Sequence, residues 1–292
     1  MPYPLWVNIA RLSLFLQITD NSLNLSLPAG HPTFTENGSS EEHGTHALSS
    51  AELRLFIQTG DTRMPSRDEQ LVYTSKTWEF WKHQDGRMVF LSLSQHPICK
   101  LTIDPTFTNG DVDVDFSTPA NKPFYPLEYL EIRLFSAWLA TFGDLILHAS
   151  AIVLDGKGYC FIGESGAGKS TLARELLNRH GAVVLGEDQV ILRFLEGRYW
   201  IFGTPWHLDS GMCSPIGVPV DQMIFLDRSL APGRKPLPTI ESTERILQTS
   251  FIPYYFNETI PLILENLSRL ARLVPFSTLS YRLGEDPWFL IR

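Results

Sequence analysis

The chain has 292 residues, 43% of them hydrophobic and 19% charged, with a formal net charge of -8. That length suffices for one large domain or two modest ones with a sizeable core, and the composition is that of an ordinary globular protein. The acidic balance argues against a nucleic-acid partner, which favours a basic face, but leaves room for a nucleotide held by a few local donors. Cys99, Cys160 and Cys213 stand far apart with no CxxC pair. They give no support to a zinc or disulfide framework and make a reducing cytoplasm the simplest compartment.

The opening run "MPYPLWVNIARLSLFLQI" is apolar, but Asn8 and Arg11 interrupt it and no small-residue cleavage pattern follows. A strand is expected there rather than a signal peptide, and no stretch reaches membrane-spanning length, so no membrane partner is expected. Residues 1–122 read as a β-rich module. Pro32 to Ser50 is polar and rich in Gly and Ser, a loop whose His43 and His46 are expected to be solvated rather than metal-bound. "KTWEFWKHQDGRMVFLSL" gives two alternating runs around Gln84-Asp85-Gly86, a hairpin, and "CKLTIDP" a further strand.

Residues 123–292 form the second predicted domain. "PLEYLEIRLFSAWLATFGD" predicts a helix from Pro126, with Leu127, Leu130, Leu134 and Trp138 at helical spacing and Gly143 as its stop. "LILHASAIVL" and "GYCFIG" predict two strands joined by a hairpin turn at Asp155–Gly158. A helix "KSTLARELLNRH" follows, closed by Gly181. Strands are then expected in "AVVLGEDQVILRF", "YWIFG", "DQMIFLD" and "FSTLSYRL", with helices around 241–250 and 260–272.

Between the second strand and the helix lies "GESGAGKS", residues 163–170, which matches G-x-x-x-x-G-K-[ST] in the context this motif needs. Glycines 163, 166 and 168 permit the dihedrals that turn successive amides inward as an anion nest, with Glu164, Ser165 and Ala167 between them. Lys169 can place its ammonium between the outer phosphates, Ser170 can ligate Mg²⁺, and the helix start through Thr171 adds its positive end. Chance would give the pattern in a chain of this size on the order of once in a hundred, before strand and helix are required on the correct sides. The segment is therefore expected to bind a nucleoside triphosphate, with ATP and Mg²⁺ as cofactors.

Ordinary P-loop ATPases feed this loop from a parallel strand. Here a tight hairpin precedes it, so the feeding strand is expected to pair antiparallel. No NKxD-like base-reading motif is present. About a helix and a strand beyond the loop stand Glu187 and Asp188, in "VVLGEDQVIL". Paired carboxylates beside a triphosphate suit two tasks, one holding Mg²⁺ and the other accepting a proton from an attacking hydroxyl.

The segment "LHASAIVLDGKGYCFIGESGAGKSTLARELLNRHGAVVLGEDQVILR" resembles the catalytic domain of HPr kinase/phosphorylase. It resembles more closely the divergent HPr-kinase-related proteins, some of them found with peptide-modifying gene clusters. The likeness is specific over roughly residues 145–230. It implies the mixed-sheet α/β (α+β) nucleotide fold shared with ATP-dependent phosphoenolpyruvate carboxykinases, here behind an N-terminal β-rich module. It places Lys169 and Ser170 on the β/γ-phosphates and the metal, Glu187 as general base and Asp188 near the metal. His148, in "LHAS", matches a histidine beside the family's active site, although on composition a lone His between apolar residues reads as core. The resemblance also implies a homo-oligomer, which no heptad in the sequence marks.

The sequence departs from that family in three places. The acidic pair is Glu-Asp rather than Asp-Asp. Thr171 stands where the regulatory enzymes carry glutamate, and their "EIRGLGIID"-like signature is missing. A stand-alone kinase acting on a serine-type hydroxyl of a protein or ribosomal precursor peptide fits better than regulation of HPr. A non-catalytic ATP sensor is the alternative; a small-molecule enzyme of carboxykinase type would need a Lys- and His-rich metal site that is not found. "GTPWHLDSG", with Thr204, His207 and Asp209, can be either a substrate-side loop or plain surface. "DRSLAPGRKP", with Arg228, Arg234 and Lys235, can be a phosphate clamp or a solvated basic loop.

Overall fold

Period-two burial organises the first half of the chain. The computed structural model describes residues 4–20, 23, 26–37, 51–62, 68–93, 98–115, 124–206, 212–227, 231–282 and 286–292. Its contacts divide the chain into two units, Met1–Phe135 and Ser136–Arg292. The first unit carries β1 (Leu5–Ile9), β2 (Leu12–Ile18), β3 (Thr35–Asn37), β4 (Ala51–Thr59), β5 (Glu69–Thr74), β6 (Trp78–His83), β7 (Met88–Ser92), β8 (Ile98–Ile103) and β9 (Asn109–Asp115). They form one nine-stranded sheet in the order β3-β1-β2-β4-β9-β8-β7-β6-β5. Pairing is antiparallel except at β2–β4 and β4–β9. In β1, β4, β8 and β9 buried residues alternate with more accessible ones, the mark of a sheet with one face on the core.

The predicted hairpin around Asp85-Gly86 is present as β6–β7. The single strand expected at the start is instead a second hairpin, β1–β2, turning at Ala10 (φ 54) and Arg11 (φ 61). A left-handed two-residue turn favours Gly, Asn or Asp, and neither residue is one of these, so nothing in the sequence announces it. The helix α1 (Glu131–Ala140) starts five residues later than Pro126 suggested, with turns over Pro126–Leu130, and the division between the units falls inside it. His43 and His46 lie outside the described residues.

The second unit holds β10 (Leu145–Leu154), β11 (Lys157–Ile162), α2 (Lys169–His180), β12 (Val183–Gly186), β13 (Gln189–Leu195), β14 (Arg198–Phe202), β15 (Gly217–Leu226), β16 (Gly233–Pro236), α3 (Thr239–Thr249), α4 (Ile260–Leu273), β17 (Phe276–Ser280) and α5 (Trp288–Ile291). Two ten-residue strands carry the architecture. β10 pairs β13 through Leu145–His148 and β11 through Ala149–Leu154. β15 pairs β14 at one end and β11 and β17 further along. The pairing path β11-β10-β13-β14-β15 thus returns to β11.

Apolar side chains from β10, β11 and β15 feed two cores. One gathers Leu147, Ala149, Cys160, Met223 and Phe225 with Ile246 of α3 and Ile263 and Leu267 of α4. The other gathers Ile152, Phe161 and Ile224 with Leu172 and Leu176 of α2 and Ile291 of α5. Strands covered on both faces read as continuous apolar runs, as β10 does. The second unit is a mixed α/β sheet with a P-loop between β11 and α2, and the N-terminal unit is β-rich. Among the described residues, no helix is long and apolar enough to cross a membrane.

Candidate active site

The loop between β11 and α2 is shaped by its backbone. Gly166 (φ 81) and Gly168 (φ 98) occupy the left-handed region that side chains resist. Gly168 stands at the start of α2 with no side-chain cap, so the helix presents its first amides outward. The feeding strand β11 is antiparallel to β10, as the hairpin predicted, and also parallel to β15 on its other side. The loop therefore leaves a strand flanked on both edges, which fixes its direction.

Lys169 is only 6% exposed, and its ammonium lies back over the loop. It donates to the carbonyls of Gly163 (2.8 Å) and Glu164 (3.1 Å) and sits 3.1 Å from His148 Nε2. Burial holds its pKa below the ordinary 10.5, with the charge of Asp188 opposing that shift. An ammonium has only N–H groups to offer, so His148 Nε2 must accept. The ring proton of the neutral imidazole then sits on Nδ1, which faces Asp188 Oδ1 at 3.1 Å. Lysine, histidine and aspartate thus stand in one row beside the nest, joined by the Lys169–His148 hydrogen bond and the close His148–Asp188 pair.

Strand register brings His148 there. It pairs directly with Gln189, the residue after Asp188, and the Ala149 amide donates to the Asp188 carbonyl at 3.1 Å. His148 is one of two residues in β10 that are not fully buried, which does not fit the reading of it as a core histidine.

The two carboxylates part company. Asp188 is about one-third exposed and lines a cavity of about 240 Å³ together with His148, Ser165, Gly166, Gly168, Lys169, Ser170, Thr171 and Glu187. Glu187 is 5% exposed, and both its oxygens are engaged by Arg174 of α2, Nε to Oε1 at 3.0 Å and Nη2 to Oε2 at 3.3 Å. Its carbonyl is 3.4 Å from the Ser170 hydroxyl. Arg174 was not singled out in the sequence. The available signal was its position four residues after Ser170, on the same helix face.

Of the weaker candidates, Thr204 is fully buried and its hydroxyl donates to the Gln189 carbonyl at 2.8 Å, bracing the strand behind the acidic pair. Arg234 spends its donors on Ser277, Gln222 and the carbonyls of Leu290 and Ile291, which ties down the C-terminal turn rather than a phosphate. Lys235 is exposed on β16, and His207, Asp209 and Arg228 lie outside the described residues.

A second cavity, of about 590 Å³, lies against the opening half of the loop. It shares Ser165 and Gly166 with the first and is otherwise walled by the end of β15 and by α3.

A glycine-turned amide nest, a lysine laid across it, a hydroxyl at the helix start and an accessible carboxylate define a P-loop protein of the nucleoside triphosphate-binding class. The family model described as an AAA domain matches residues 159–198, the stretch from β11 through the loop and the acidic pair to the start of β14. No curated protein matches the chain. Among solved structures, the Hpr(Ser) kinase/phosphatase from Coxiella burnetii is similar at 18% identity, over 50% of this chain and 85% of that one, with a TM-score of 0.28.

Proposed function

We propose that the chain is an ATP-dependent kinase that transfers the γ-phosphoryl group to a serine-type hydroxyl of a protein or precursor peptide. The observation that carries this reading is the Lys169–His148–Asp188 row, which sets a carboxylate capable of taking a proton beside the phosphate nest. A protein that only senses ATP needs the nest but has no use for an oriented, accessible carboxylate there.

The loop amides and Lys169 hold the phosphates. The Ser170 hydroxyl is an oxygen donor lining the same cavity, so it fits Mg²⁺, which keeps water and phosphate oxygens in its shell. When bound, that ion supplies neutralisation of charge on the phosphate oxygens. The acceptor oxygen forms a bond to the γ-phosphorus as the bond to the β-bridging oxygen breaks. The hydroxyl proton passes to Asp188, whose carboxylate faces His148 Nδ1 at 3.1 Å, and ADP leaves. Glu187, neutralised by Arg174, holds the bend in place and leaves the proton transfer to its neighbour.

The test is phosphoryl transfer from γ-labelled ATP to seryl peptides and lysate proteins. Asp188→Asn is expected to lower turnover by ~10²–10⁴-fold with ATP affinity retained, and Glu187→Gln by much less. Transfer that survives Asp188→Asn at the parent rate would remove the proposed base.

A further inference from the structure

We propose that the 590 Å³ cavity is the nucleoside site of the phosphoryl donor, with Arg245, Gln248, Thr249 and Asp227 as its recognition groups; this rests on the phosphotransfer reading above. The cavity is lined by Gly163–Ala167, Phe225, Leu226 and Asp227, and by three residues of α3. None of the transfer groups Lys169, His148 or Asp188 lines it, whereas all three line the smaller cavity. The two cavities meet at Ser165 and Gly166, the crest of the nest. A triphosphate seated on the nest with its transferable end at Asp188 therefore sends its other end over that crest into the larger space.

The lining suits what arrives there. Arg245, Gln248 and Thr249 follow at i, i+3 and i+4, so one face of α3 carries all three. Arg245 lies over the Phe225 ring at 5.5 Å and is steered from its own helix by Glu241, Nη2 to Oε1 at 2.6 Å. A guanidinium held between a ring and a carboxylate in this way is a preorganised group on which a base stacks. The exposed Gln248 amide offers both a donor and an acceptor to a base edge, and the Thr249 hydroxyl, which donates to the carbonyls of Arg245 and Ile246, offers its oxygen as an acceptor. Glu164 and Asp227 bring two carboxylates to the same cavity. They repel further phosphate and suit ribose hydroxyls, which a carboxylate accepts from.

The experiment titrates the intact protein with Mg·ATP and, separately, with Mg·tripolyphosphate, by calorimetry. Arg245→Met and Gln248→Leu are each expected to weaken ATP by about tenfold or more, the scale of one lost base contact, with tripolyphosphate affinity held within about twofold. Gln248→Leu changes an exposed side chain with no hydrogen-bond partner among the described residues, so it keeps the test open where Arg245→Met fails to fold. Equal ATP affinity in parent and variants, with transfer to the acceptor lost, would overturn the proposal and give the cavity to the acceptor. Equal weakening of both ligands would overturn it too, because the loop itself would then be disturbed. Should no acceptor ever be phosphorylated while the ATP-selective loss is observed, the nucleoside site stands and the kinase reading falls.

Discussion

Lys169 places an ammonium where water scarcely reaches and gives it two carbonyls and an imidazole in place of solvent. Because its pKa is lowered, the folded chain binds fewer protons than the unfolded one between the two pKa values. Stability from this group is complete above the ordinary 10.5 and is lost as pH falls through the folded value, so at neutral pH the buried charge is a cost. Lys169→Met is therefore expected to abolish nucleotide binding while leaving the neutral-pH melting temperature equal or higher. Melting curves from pH 7 toward 10.5 should rise less steeply than for the parent. A large drop in melting temperature at pH 7 would refute this. Arg193 presents the opposite case. It is 1% exposed and bonded through Nε to the equally buried Asp144 at 2.7 Å, whose pKa burial raises against the pull of Arg193. Arg193→Met should cost about 3–5 kcal/mol by denaturant unfolding, because a buried carboxylate is left without its countercharge and with only the Phe194 amide, and Asp144→Leu in the same chain should recover much of it.

Among the elements, the strand–loop–helix unit was readable because each part carries a local signal. The hairpin has its turn residues, the loop its glycines, and α2 spans Lys169–His180 as its sequence suggests. The bend bearing Glu187 and Asp188 was readable only as a motif, since what holds it is remote. The Leu185 carbonyl, just before it, accepts from Ser214 at 3.0 Å and is crowded by Gly203, where an added Cβ would lie 2.1 Å from Leu185 O and 2.2 Å from Ser214 O. Gly203→Ala is expected to displace β12, costing on the order of 2–3 kcal/mol and weakening turnover through the shifted bend. Gly181→Ala, where the same atom meets open space but the backbone is left-handed (φ 69), should cost about 1 kcal/mol of stability and leave turnover unchanged. Thermal unfolding and initial rates on the two variants separate these outcomes.

For the whole molecule, ligand linkage offers the clearest readout. Mg·ATP at roughly a hundredfold excess over Kd should stabilise the folded state by about 2.7 kcal/mol. Hydrogen exchange should slow chiefly across the loop, the start of α2 and the bend at 187–188. No thermal shift with ATP, in a protein whose circular dichroism is that of the fold, would count against the site as a whole.

From the sequence alone came the β-rich first half, the hairpin-fed loop and the helix after it, because glycine placement and hydrophobic period are short-range properties; His148 was singled out only by the resemblance to HPr kinase/phosphorylase, which gave the base to Glu187 and set Asp188 near the metal. Three things required the fold. The β1–β2 turn is made by Ala10 and Arg11, residues that do not advertise it. β11 gains its parallel neighbour β15 about 60 residues later in the chain. And the contrast between the two acids depends on which one Arg174 reaches. Each is set by strand register and helix facing, which long-range burial decides and which no window of neighbouring residues contains.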